Sequence, residues 1–301
     1  MVYQTLHYYL VSHPTISSFE WNPHRTPASS LPFLATTVLS YLSLTLLFRR
    51  TGLRLPLLSP SLLRAVSSLH NLNLLLLSLA MALGCSLSSL HQMPSPSWLL
   101  CFPPRTTPAA AGPVFFWAYV FYLSKIYELL DTLLILLSGA ESRTRRLTFL
   151  HVYHHSVVPV MCYVWLRTRQ SLLPVALTTN AAVHVAMYAY YLSASAGLRW
   201  GPRWKRAVTE AQIWQFAFSF AVSLALLYLH FFRRRGDGGE GCQGMDGWLF
   251  NAAFNVSLFV LFLDFHATAY KNSERKTKSR NGLTTTTTAA ATTATKEERE
   301  N

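Results

Sequence analysis

The sequence predicts an all-α polytopic membrane protein with seven transmembrane helices, and three observations carry that prediction. Only 13% of the 301 residues are charged while 51% are hydrophobic, against a charged share of roughly 25% in soluble domains. Seven apolar stretches are long enough, or nearly so, to cross roughly 30 Å of hydrocarbon as helix; they lie near 32–48, 66–90, 114–137, 147–166, 170–192, 209–231 and 247–270. The basic residues behind the net charge of +13 sit in short blocks between these stretches. That placement fits juxtamembrane loops and argues against nucleic acid as a partner.

The first stretch, LPFLATTVLSYLSLTLLF, starts late and is too rich in Thr and Ser for a cleaved signal peptide with a basic front, so it is expected to be retained. Orientation follows from the loops. Arg49, Arg50, Arg54 and Arg64, then Arg143, Arg145 and Arg146, then Arg199, Arg203, Lys205 and Arg206, and finally Lys271, Arg275, Lys276, Lys278 and Arg280 put 16 basic residues on one side. The other side has 7: Arg25, Arg105, Arg167, Arg169 and Arg233 to Arg235. The positive side is cytosolic. Residues 1–31 are therefore expected to be a lumenal N-terminal segment, 32–270 the seven-span domain and 271–301 a cytosolic tail. The tail, NGLTTTTTAAATTATKEEREN at its end, is polar and low-complexity and is expected to be disordered. Cys85, Cys101, Cys162 and Cys242 form no C-x-x-C pair, which suggests neither a zinc ribbon nor a disulfide framework.

Polar groups inside the spans carry the functional signal. The third span reads KIYELLDTLLILL, with Lys125, Glu128 and Asp131 at i, i+3 and i+6, within an arc of about 120°. Ionisable groups in a span are expensive and face the bundle interior, where they pair or line a cavity. A buried ion-pair cluster that only fixes packing is the plainer alternative. The fourth span begins LTFLHVYHHS, with His151, His154 and His155 on one face of one turn. A lone membrane histidine is often a packing residue; three on one face point to chemistry.

The fifth span, NAAVHVAMYAYYL, places His184, Met187, Tyr188 and Tyr191 at i, i+3, i+4 and i+7, with Asn180 one turn earlier. A tyrosine stripe alone is more often core or interfacial belt. The sixth begins TEAQIWQFAF, with Thr209 as a candidate N-cap and Gln212 and Gln215 on one face, which interhelical hydrogen bonding explains as well as function does. In the predicted orientation all these groups fall in the cytosolic half of the membrane. Four helices then converge on one chamber that opens to the cytosol.

Two chemistries use such histidines. A di-iron oxygenase needs on the order of eight imidazoles. The chain has 11 histidines, but only His151, His154, His155 and His184 are well placed; His7, His13 and His24 lie in the outer segment, and His230 and His266 stand singly. A single zinc could be assembled from the same four. The other chemistry is acyl transfer, in which an imidazole attacks a thioester, a second moves protons and nearby donors hold the oxyanion. Cys162 lies seven residues after His155, about 10 Å along the helix, too far for that turn to activate it.

In these residues the chain resembles the ELO family of very-long-chain fatty acid elongases, the membrane 3-ketoacyl-CoA synthases of the endoplasmic reticulum. The four signatures of that family are matched in order by Lys125–Glu128–Asp131–Thr132, by HVYHH, by His184–Met187–Tyr188–Tyr190–Tyr191 and by Thr209–Gln212–Gln215–Phe216. The match is close over spans three to six and loose over the whole seven-span plan. The resemblance implies six spans forming a barrel around an acyl tunnel, with one span outside. It implies condensation of acyl-CoA with malonyl-CoA to 3-ketoacyl-CoA, CoA and carbon dioxide, with no metal and no cofactor, the CoA thioesters being substrates.

In the ping-pong scheme proposed for the family, His154 matches the histidine that takes the acyl group and His184 its partner. His151 and His155 would orient it or exchange protons. Lys125, Glu128, Asp131, Asn180, Tyr188, Tyr191, Gln212 and Gln215 would shape the site and bind substrate, with Arg145 and Arg146 at the CoA phosphates. The expected partners are the bilayer, acyl-CoA and malonyl-CoA, and the ketoacyl reductase, dehydratase and enoyl reductase of the elongation cycle. The expected residence is the endoplasmic reticulum membrane, although the KEEREN terminus departs from a dilysine-type retrieval signal. The competing reading from another class is a seven-span transporter or receptor that binds a ligand in the polar belt.

Overall fold

Long helices account for most of the described residues in the computed structural model, which describes residues 2–51, 58–104, 110–138, 146–198, 200–236 and 241–271. A short helix α1 (Val2–His7), a π turn and a four-residue helix α2 (Pro14–Ser17) precede the long elements. These are α3 (Leu31–Thr51), α4 (Pro60–Gln92), α5 (Pro113–Tyr127), α6 (Leu130–Leu136), α7 (Phe149–Thr168), α8 (Leu173–Ser195), α9 (Pro202–Gly236) and α10 (Met245–His266). Among the described residues there is no strand, only an isolated bridge between Glu20 and Ala111. The tail beyond 271 and Arg145 lie outside the described residues, as do Arg54, Arg105 and Arg143.

Each stretch expected to be helical falls on helix, apart from its ends and one break. Among the described residues, four helical segments are long and apolar enough to cross a membrane: Leu31–Thr51, Pro60–Gln92, Arg203–Phe232 and Met245–Tyr270. The others are α5 with α6, α7 and α8, which carry Lys125, Glu128, Asp131, the histidine turn and His184. Their polar content and the break lower their apolar length.

Local signals explain the boundaries. Ser59 caps α4 by accepting from Leu62 N, with Pro60 at the first helical position. Thr148 caps α7, its hydroxyl accepting from His151 N at 3.2 Å, which fixes where the histidine turn begins. Pro159 lies inside α7 and removes one backbone bond just after that turn. The third span is not one helix: at Glu128 and Leu129 the chain tightens into i→i+3 bonds (Leu129 N to Ile126 O, Asp131 N to Glu128 O) before α6 resumes. Thr209 is no N-cap either, because α9 starts at Pro202 and the Thr209 hydroxyl bonds back to Lys205 O.

Neighbour contacts run from α4 to α5, α5 to α7, α7 to α10, α10 to α9, α9 to α8 and α8 back to α4, while α3 packs against α7. The main core fills the interior of this arrangement with Phe121, Tyr122, Cys162, Trp165, Leu177, Ala181 and Phe254. Gly84 admits the Trp117 ring, since a Cβ there would lie 2.1 Å from Trp117 Cε2. At the end remote from the histidine turn, Cys101 and Cys242 form a disulfide, a pairing their scattered spacing did not suggest. It joins a knot in which Ser171 Oγ accepts from Phe102 N and donates to Gln243 O, while Gln243 N donates to Phe102 O.

Candidate active site

Three polar clusters and one cavity share the level of the histidine turn. In the first, Lys125 Nζ donates to Glu128 Oε1 at 2.7 Å, and both residues are only 2% exposed. His184 Nδ1 lies 3.3 Å from Lys125 Nζ and 3.5 Å from Glu128 Oε1. Protonation of that nitrogen selects its partner: with a proton it donates to Glu128, without one it accepts from Lys125. The ammonium also sits 4.6 Å from the centre of the Phe121 ring.

Beyond the break in the third span, Asp131 makes no hydrogen bond to Lys125 or Glu128 among the described residues. Its carboxylate is instead held from two other helices, by His70 Nε2 on α4 at 2.9 Å and by the Tyr188 hydroxyl on α8 at 3.3 Å. Of the three ionisable residues expected on one arc, Lys125 and Glu128 pair with each other while Asp131 pairs with His70 and Tyr188. In the third cluster the Tyr41 hydroxyl on α3 lies 3.1 Å from Thr132 Oγ1, which lies 2.7 Å from His151 Nε2. The His151 ring packs on His155 with centroids 4.3 Å apart.

His70 and Tyr41 were missed by reading the sequence. The only available signal was a polar residue inside an apolar span, in SLHNLN for His70 and in VLSYLS for Tyr41.

The cavity is narrow, about 60 Å³, a slot smaller than a typical small-molecule pocket. His154, Asn180 and Gln215 are among its polar lining residues, and Phe121, Val158, Met161, Trp165, Leu172 and Val222 are among its apolar ones. From His154 to Trp165 it follows α7 for eleven residues, about 16 Å. Among the described residues no hydrogen bond engages the His154 ring, whereas His70, His151 and His184 are all held. A ring with an uncommitted lone pair thus faces a narrow, mostly apolar cavity. Cys162 is buried in the core and does not line it.

Other expected site residues stand apart. Gln212 Nε2 points to Met187 Sδ at 3.6 Å, Tyr191 is 41% exposed with its ring 6.0 Å from Tyr188, and Arg146 is exposed. Among the described residues no group of three or more His, Cys, Asp or Glu is arranged to hold a metal ion.

Comparison with known proteins gives the same direction. The chain is similar to fatty acid elongase 3-like of Arabidopsis thaliana, 27% identical over 91% of this chain and 95% of that protein. It is 31% identical to fatty acid elongase A of Dictyostelium discoideum over 89% of this chain and 93% of that one. Very long chain fatty acid elongase 6 of Mus musculus is 33% identical over 55% of this chain and 59% of its own length. No solved structure matches significantly. The model of the GNS1/SUR4 (ELO) family matches residues 26–278, nearly all of the chain that carries spans and site, and the protein belongs to that family.

Proposed function

We propose that this protein is a membrane-embedded condensing enzyme of fatty acid elongation, a very-long-chain 3-oxoacyl-CoA synthase that joins acyl-CoA to malonyl-CoA. The observation that carries this reading is the His154 ring, with no hydrogen bond among the described residues, in the lining of a mostly apolar cavity. In the first half-reaction a His154 nitrogen bonds to the thioester carbon, the C–S bond breaks, and the departing thiolate takes the proton shed by the ring. In the second, malonyl-CoA loses carbon dioxide. The electron pair of the broken C–C bond attacks the acyl carbon, the C–N bond breaks, and the ring recovers one proton from the cytosolic side.

His184, switchable between Lys125 and Glu128, serves the proton traffic of the second step, while His151 and His155 orient the nucleophile. Asp131, Tyr188, Asn180, Gln212, Gln215 and Tyr191 shape the chamber, and Arg145 and Arg146 meet CoA phosphates. The test is release of labelled carbon dioxide from malonyl-CoA by purified protein. Release only when acyl-CoA is present supports the reading, and failure to release any overturns it. The transporter or receptor alternative predicts no such release, and no observation here favours it.

The mechanism needs no metal. Activity is therefore expected to survive strong chelation, and metal analysis should find well under one iron or zinc per chain; activity lost together with one bound metal overturns this.

The ring of helix contacts supports a six-helix barrel around the cavity with α3 outside it, giving seven spans in all. The Cys101–Cys242 disulfide joins the two loops that the basic-residue bias puts on the lumenal side, where an oxidising compartment maintains such bonds. In sealed microsomes from endoplasmic reticulum, a tag at Gln4 is expected to be protected and the tail after Lys271 to be cleaved. Protection of the tail reverses the orientation. Coupling to the reductases and dehydratase of the elongation cycle follows from the chemistry, because the 3-keto product must be reduced and dehydrated before another round.

A further inference from the structure

We infer that the amide pair formed by Gln215 and Asn180 is the thioester clamp of this site: Gln215 stabilises the oxyanion, while Asn180 accepts the first amide N–H of the CoA arm. The inference rests on the reading of His154 as the acyl carrier. Six polar side chains line the cavity: His154, Thr179, Asn180, Gln215, Ser219 and Asn255. Thr179 Oγ1 bonds back to Val175 O at 2.8 Å, and Asn255 Nδ2 donates to Ser219 Oγ at 3.3 Å, a full turn of α9 beyond Gln215. Those groups are engaged away from the nucleophile.

Asn180 and Gln215 are only half engaged. Asn180 Nδ2 donates to Gln215 Oε1 at 3.5 Å, which turns the Gln215 NH2 outward as a donor, and Asn180 Oδ1 is buried with no partner. A buried acceptor without a donor marks a place where a ligand supplies one. In the cavity that His154 also lines, the amide pair therefore offers one donor and one acceptor.

An acyl-CoA thioester presents the complement. Its carbonyl oxygen needs a donor as the carbonyl pair moves onto it, and two carbons beyond its sulfur the CoA arm carries an amide N–H. When the His154 nitrogen bonds to the carbonyl carbon, the oxygen becomes negative and takes the Gln215 N–H. When the C–S bond breaks, the carbonyl reforms and the thiolate leaves with the proton that the ring sheds. Attack by the carbanion equivalent of decarboxylated malonyl-CoA drives the same oxygen through the same charge, so one donor serves both half-reactions.

The test uses the full-length protein, with a thioether analogue of acyl-CoA that has no carbonyl and a trifluoromethyl ketone analogue that mimics the tetrahedral adduct. Gln215→Leu is expected to slow both CoA release without malonyl-CoA and condensation by about 10²- to 10³-fold. It should keep thioether affinity and lose the extra affinity of the ketone. Gln215→Glu, which preserves shape but removes the donor, should behave alike. Asn180→Leu should weaken both analogues together.

Normal loading by Gln215→Leu and Gln215→Glu, or equal loss of both analogues in both variants, overturns the inference and leaves the pair as a bridge between α8 and α9 only. An acyl group mapped away from His154 overturns the underlying reading instead, so the two failures are distinguishable.

Discussion

His154→Ala is expected to abolish acyl loading and condensation together, by on the order of 10⁴-fold or more, as loss of a covalent nucleophile does elsewhere. The neighbouring rings cannot substitute. His151 is committed to Thr132 and His184 to the Lys125–Glu128 pair, while His155 packs between His151 and His154 and does not line the cavity. Incubation of wild type with acyl-CoA alone should release CoA and leave an acyl group that mass mapping places on His154. Cys162→Ala should retain most activity, since that thiol lies in the core. His184→Ala should stop turnover yet allow some loading, because its exchange between Lys125 and Glu128 serves the second step. An acyl group on Cys162, or full condensation by His154→Ala, ends the histidine mechanism.

The second large effect is on stability. Glu128→Ala leaves the Lys125 ammonium buried with no counter-charge, and removing one member of a buried pair costs about 3–5 kcal/mol. Thermal unfolding in detergent should show it as a marked drop in the transition temperature. The double replacement Lys125→Met with Glu128→Leu should recover much of that stability, because it removes both desolvated charges, yet remain inactive because His184 loses both partners. Unchanged unfolding of Glu128→Ala means that the pair is hydrated and not a buried clamp.

The sequence made the candidate site legible where residues one helical turn apart had to act together. HVYHH set three imidazoles on one turn, and the Thr148 cap keeps that turn at the start of α7. Lys125 and Glu128, three residues apart, pair as their spacing expects. Asp131 was legible as an intramembrane charge but not as a partner of His70, because that partner lies on another helix, beyond a two-residue break at Glu128 and Leu129. Periodicity assumes an unbroken helix, and that assumption failed at the residue where the charges crowd.

By itself, the sequence determined the helical class, the membrane setting suggested by apolar length, and the residue types that bear the chemistry. These depend on short-range periodicity and on transfer from water to hydrocarbon, both properties of local composition. Only the tertiary structure decided which polar groups meet. It joined His70 to Asp131 across 61 residues, Tyr41 to Thr132 across 91 and Cys101 to Cys242 across 141. It also left His154 alone facing the cavity while its neighbours were engaged. Such pairings depend on the rotation and depth of each helix against its neighbours, which are set by packing of the whole bundle and not by the spacing within any one span.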